Sequence, residues 1–329
     1  MLDQRAPVVV TPFTQQFGID YPIIGAPMFL VSDVRLVVAT SVAGGLGSFP
    51  ALNYRPIEKY AEAVDEIKRQ TNRPFAINII AQDSNRWRDQ HLAIALEKRV
   101  PLIISSLGSP KSMIDLAHQV GTKVYCDVIN LKHAQKVADL GADGLIVVSH
   151  GAGGHAGDTS PFALIPYLVE KVKLPVVASG AIVDGRGMLA AFGLGASAVY
   201  MGTRFIASDE SAADRAYKQA IVDANPEDIV NTDRVDGFPG NFIRTSSLEQ
   251  LGVEDGLIES LLKRSKKARR WIALSRAARS LFGAATSKHS YKTIFSAGHG
   301  VGLVDRVEPV DAIIQQTVRD YLRLKAKLP

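Results

Sequence analysis

Between residue 20 and about residue 206, short and almost wholly apolar runs rich in Val and Ile alternate with amphipathic stretches of helical period. That alternation is the pattern of repeated βα units feeding a parallel sheet. The runs that predict strands cover 23–25, 46–48, 75–80, 102–105, 123–128, 144–148, 176–179 and 198–201. Between them, helical periodicity is expected over 56–69, 90–98, 113–120, 131–140, 164–172 and 187–194, and several of these stretches end in a glycine. Eight such units predict a TIM (β/α)8 barrel. A doubly wound sheet would need a glycine-rich turn after its first strand. Here that strand runs into Ala26-Pro27-Met28-Phe29, and Gly44-Gly45-Leu46-Gly47 falls at the end of a helix instead.

After residue 206 the alternation stops. Helical patterns rich in Ala, Asp, Glu, Lys and Arg run to about 293, broken at Asn225-Pro226 and at Asp236-Gly237-Phe238-Pro239-Gly240. This predicts a barrel over 1–206, completed by 294–329 with a closing helix near 308–325. A helical lid insertion would occupy 207–293. Loops that follow barrel strands sit at the catalytic face, so an insertion there is expected to cover a ligand.

Composition narrows the class. The chain has 329 residues, of which 47% are hydrophobic and 22% charged, enough apolar surface for a large core. The net charge of +5 is concentrated in Lys263, Arg264, Lys266, Lys267, Arg269 and Arg270, which read as a solvated helix face and not as a nucleic-acid footprint. A single cysteine, Cys126, excludes an internal disulfide, and no metal-type Cys/His spacing occurs. No leader-like start and no long apolar span are present, so the expectation is a cytoplasmic protein with neither nucleic acid nor membrane as partner.

The candidate chemistry lies at the ends of late strands. Ser179-Gly180 and Gly202-Thr203-Arg204 follow the seventh and eighth predicted strands, where backbone N–H groups and a helix start converge on a phosphate in such barrels. Thr203 adds a hydroxyl, and Arg204 is expected to add charge. His155 follows the sixth strand in the loop Gly151-Ala152-Gly153-Gly154-His155-Ala156-Gly157. An imidazole there suits proton transfer or stabilisation of an anion near neutral pH. His150 is a weaker candidate for a supporting role.

These motifs resemble the nitronate monooxygenase family, which includes flavin-type enoyl-acyl carrier protein reductases and NADH:quinone reductases. The resemblance spans the chain through the motifs at 21–28, 43–47, 74–78, 152–155, 178–180, 184–186, 201–205 and 296–298. It implies FMN, with Ala26, Pro27 and Met28 near the ring system and Asn78 on its ring or ribityl side. Gly180, Gly202 and Thr203 fall at the phosphate, and Asp127, Gly153, Gly154, Ser179 and Gly298 also fall in the cofactor site. His155 takes the position of the active-site histidine, and His299 is a candidate substrate contact. The implied reaction is oxidation of an alkyl nitronate by oxygen to a carbonyl compound and nitrite. An NAD(P)H-dependent reductase of a quinone or enoyl thioester is the alternative, and a flavin-binding protein without turnover a third. A homodimer is compatible with all three. The chain departs from the family pattern at Gly151 and Ala156, where many members carry glutamate and arginine. It departs again at Val148, often a polar residue, at Asp127, near which some members carry lysine, and at His299, commonly glutamine.

Overall fold

The computed structural model describes residues 5–253 and 293–328. Eight parallel strands form one sheet: β1 (Ile23–Gly25), β2 (Gly47–Pro50), β3 (Phe75–Ile80), β4 (Leu102–Ser106), β5 (Lys123–Val128), β6 (Gly144–Val148), β8 (Val176–Ser179) and β9 (Ala198–Met201). The sheet closes on itself. β1 pairs with β9 on one side, and on the other Ile24 bridges to Leu46, just ahead of β2. The expected barrel is therefore present. Six of the expected strands match at both ends; β4 gains one residue, and β2 starts one residue later and ends two later, at Pro50.

Six helices fall, within three residues at either end, where the periodicity places them: α3 (Ile57–Gln70), α4 (Arg88–Glu97), α5 (Lys111–Gln119), α6 (Leu131–Asp139), α7 (Pro161–Lys171) and α8 (Gly185–Gly193); α1 (Pro12–Phe17) is an addition, and α2 (Val34–Val42) is the helix that ends ahead of Gly44. Their starts have local causes. Asp33, Asn130 and Asp184 each accept a hydrogen bond from a backbone N–H of the first turn of α2, α6 and α8. Inside the barrel, Ile24, Leu46, Ala76, Leu102, Ile104, Tyr125, Ile146, Val177 and Ala198 pack as one buried cluster. Phe13 of α1 joins that cluster, meeting Tyr125 edge-on at 5.7 Å, while Gln16 accepts the Tyr125 hydroxyl at 2.7 Å. Because Leu102, Tyr125 and Ala198 sit near the starts of their strands, α1 plugs the N-terminal mouth. Among the described residues, that leaves the C-terminal mouth for a ligand.

Beyond β9 come α9 (Thr203–Ile206), α10 (Arg215–Asp223) and α11 (Ser246–Leu251). The expected insertion is not helical throughout. It also contains strands β10 (Ile229–Thr232) and β11 (Gly240–Ile243), and β11 pairs with a two-residue strand β7 (Gly154–His155) in an antiparallel sheet. The helix expected near 308–325 is α12 (Val310–Lys325), packed on α8 so closely that a Cβ on Gly185 would lie 2.4 Å from the Tyr321 nitrogen. The basic run at 263–270 lies outside the described residues. Among the described residues, no helix is long and apolar enough to cross a membrane and no group of residues could hold a metal ion.

Candidate functional site

The C-terminal mouth opens into a cavity of about 1080 Å³. Its lining includes Ala26, Pro27, Met28, Asn78, Asp127, Gly153, Gly154, His155, Ser179, Gly180, Gly202 and Thr203, so twelve of the expected site residues share one space. Gly298 stands just behind it. The Gly298 N–H donates to Thr203 Oγ1 at 2.9 Å, and a Cβ on Gly153 would lie 2.9 Å from the Gly298 nitrogen. His299 is not on the cavity wall; its ring stacks obliquely against His150, 5.1 Å between centroids. Burial and the neighbouring His150 both push the His299 imidazole below its ordinary value, so it is a poor cation.

One end of the cavity is made of backbone. At the tip of β8, Gly180 has φ +140°, and a Cβ there would lie 2.5 Å from Ser149 Oγ and 2.9 Å from the His150 carbonyl. No larger residue fits. At the tip of β9, Gly202 caps α9, and Thr203 begins it. Since Thr203 Oγ1 already accepts from Gly298, its own O–H remains to donate into the cavity. Two bare loops, a hydroxyl donor and the start of a helical turn fit a phosphate group. Arg204 takes no part: its side chain is buried, ion-paired with Glu308 and hydrogen-bonded to the carbonyls of Ala207 and Arg306. The expected phosphate charge is thus a structural tie between α9 and the segment ahead of α12.

The floor carries a polar row from three adjacent strands. Asn78 Nδ2 donates to Ser106 Oγ at 2.6 Å and to the Ile104 carbonyl at 3.1 Å, and Ser106 donates to Asp127 Oδ2. Burial pushes the Asp127 carboxyl up to about 6, partly offset by the Ser106 hydrogen bond. Its Oδ1 has no hydrogen-bond partner. Nearby Cys126 is pushed up to about 12, chiefly by burial, which leaves it an unreactive thiol.

The wall at His155 is built from side chains. His155 Nε2 lies 2.7 Å from Asp236 Oδ2, and the two side chains are 37% and 7% exposed. Asp236 belongs to the turn between β10 and β11, where the Phe238 N–H donates to its Oδ1 at 3.1 Å. The Phe238 ring meets the His155 ring edge-on at 5.7 Å. Register holds the pair together: Gly240 of β11 faces His155 of β7, and Asn241 donates from its buried side chain to the Ala152 carbonyl at 2.7 Å. Sequence reasoning missed Asp236, which is 81 residues from His155. Its one local signal is the turn composition Asp-Gly-Phe-Pro-Gly.

A closed (β/α)8 barrel with two glycine-edged loops after its last two strands, and a histidine at the same mouth, suits an enzyme that holds a phosphate-bearing cofactor, and the comparisons place the class among flavin-dependent oxidoreductases. The nitronate monooxygenase family model matches residues 11–90 and 82–320, and the chain belongs to that family. A nitronate monooxygenase from Pseudomonas aeruginosa is 32% identical over 255 residues, covering 64% of this chain and 72% of that protein. A Mycobacterium tuberculosis protein named (3aS,4S,5R,7aS)-5-hydroxy-7a-methyl-1-oxo-octahydro-1H-indene-4-carboxyl-CoA dehydrogenase is 34% identical over 244 residues, 73% of this chain and 68% of its own. Among solved structures, FabK from Thermotoga maritima superposes with a TM-score of 0.82 at 31% identity, covering 97% of this chain and 98% of its own.

Proposed function

We propose that the chain is an FMN-dependent oxidoreductase that oxidises alkyl nitronates with oxygen, giving a carbonyl compound and nitrite. The observation that carries this reading is the shared cavity: a glycine-edged phosphate cradle at one end and His155 on the wall. Gly180, Gly202 and Thr203 would hold the FMN phosphate, and Ala26, Pro27 and Met28 the side of the ring system. Asn78, Asp127, Gly153, Gly154 and Ser179 would complete the walls, with Gly298 buttressing Thr203 and Gly153. When bound, FMN would take electrons from the substrate and pass them on to oxygen. The protein's part is to fix the substrate: His155, its Nε2 held on Asp236, lines the cavity where a nitronate would lie against the ring system.

A second reading, oxidation or reduction of an acyl thioester, is favoured by the cations along the same cavity. Arg55 and Lys136 line it, and a small nitronate has no use for them, whereas the phosphates of a carrier do. The CoA-dehydrogenase relative points the same way. The test is the FMN-loaded chain mixed with propyl nitronate under oxygen, with nitrite and oxygen uptake recorded. Nitrite release is expected, and its absence overturns the first reading. Anaerobic bleaching of the flavin by NADH or NADPH, discharged by an enoyl thioester, would establish the second.

A further inference from the structure

We infer that Asp236 is a positioning residue that holds His155 with Nδ1 as its working atom, so that the site also ionises a neutral carbon acid and does not depend on a preformed anion. This rests on the reading of the cavity as a flavin-dependent oxidation site.

The geometry leaves one arrangement. A carboxylate only accepts, so the 2.7 Å contact puts the ring proton on Nε2 and, in the neutral ring, leaves the lone pair on Nδ1. Nδ1 makes no hydrogen bond among the described residues, and His155 lines the cavity. Asp236 is itself fixed, buried and held by the Phe238 N–H of its own turn. The backbones on either side are paired as β7 and β11, so the contact is built into the sheet and not into one free rotamer. Asp236 supplies a carboxylate to the histidine from the insertion.

The chemistry follows. A C–H bond next to a nitro group or thioester carbonyl breaks, and its proton forms an N–H bond at Nδ1. The electron pair stays with the substrate, delocalised onto the electron-withdrawing group. The imidazolium so formed faces the Asp236 carboxylate, the base-and-orienter relation of hydrolytic triads without their nucleophile. A neutral substrate enters such a site free of repulsion from Asp236, which an anion must offset through the imidazolium.

The experiment uses the FMN-loaded full chain and its Asp236→Asn variant. Ring-15N NMR on the unsubstituted protein should show the neutral His155 ring protonated at Nε2 and bare at Nδ1, and a mixture of tautomers in the variant. With neutral nitroethane, Asp236→Asn should lower kcat on the order of 100-fold with KM little changed. With ethyl nitronate the loss should be roughly tenfold smaller than that, since no C–H bond has to ionise. Asp236→Glu should restore part of the lost rate. In a His155→Ala background, Asp236→Asn should cost nothing further, because it acts through the ring. An Nδ1–H tautomer in the unsubstituted protein, equal losses on both substrates, or an unchanged kcat would overturn the inference. If the unsubstituted enzyme turns over neither substrate, the functional reading fails, and the tautomer measurement still decides the part played by Asp236.

Discussion

Two parts of the cavity are built on different principles. The cradle at Gly180 and Gly202 is backbone, set by residues that follow their own strands, and at Gly180 there is no room for a Cβ. The wall at His155 is side chain, assembled from β7 and from a turn 81 residues away. In the proposed reading the first arrangement holds an anion whatever the substrate is. The second sets the chemistry, and it moves if the insertion moves. Substitutions should therefore separate binding of the cofactor from turnover.

Gly180→Val is expected to have the largest effect. Its Cβ would strike Ser149 and the His150 carbonyl at a φ that β-branched residues avoid. About 1–3 kcal/mol of strain corresponds to roughly 10- to 100-fold weaker FMN binding, read by flavin fluorescence titration. Asn241→Ala attacks the other part, leaving the buried Ala152 carbonyl without its donor. The cost, about 1 kcal/mol or somewhat more, should appear as about a tenfold lower kcat with FMN affinity retained. Equal damage to both quantities would erase the distinction between the two parts. Arg55→Ala should raise KM two- to fivefold for a CoA thioester, as expected for an exposed charge worth about 0.5–1 kcal/mol, and leave KM for propyl nitronate alone.

The smallest effect concerns the floor. Asp127 holds its proton up to about 6 in the folded chain, and an unfolded aspartate loses it near pH 4. Over that window the native state binds more protons, so stability falls as pH rises and levels off above it. Asp127→Asn should flatten this slope in thermal melts at pH 4.5 and 8 of the FMN-loaded chain. A slope that survives the substitution places its source elsewhere.

The same contrast explains what the sequence disclosed. The barrel was legible because each βα unit writes its own period, and strand ends such as Ser179 and Met201 placed both glycine loops correctly. The insertion was less so. A strand of two residues, Gly154–His155, has no period to detect, and its partner β11 follows a turn containing Pro239. Asp236 looked like any turn aspartate until β11 brought it to the imidazole. Arg204 misled for the converse reason: it sits at a phosphate position in sequence, while Glu308, more than a hundred residues on, draws its guanidinium into the core. His299 likewise lay in a promising motif, but its ring turns to His150 and away from the cavity lining.

The most direct measurement takes FMN affinity and propyl nitronate turnover from one preparation of His155→Ala. The account predicts that FMN binds as in the unsubstituted chain while kcat falls on the order of 100-fold. Full turnover, or loss of FMN together with the histidine, would contradict it.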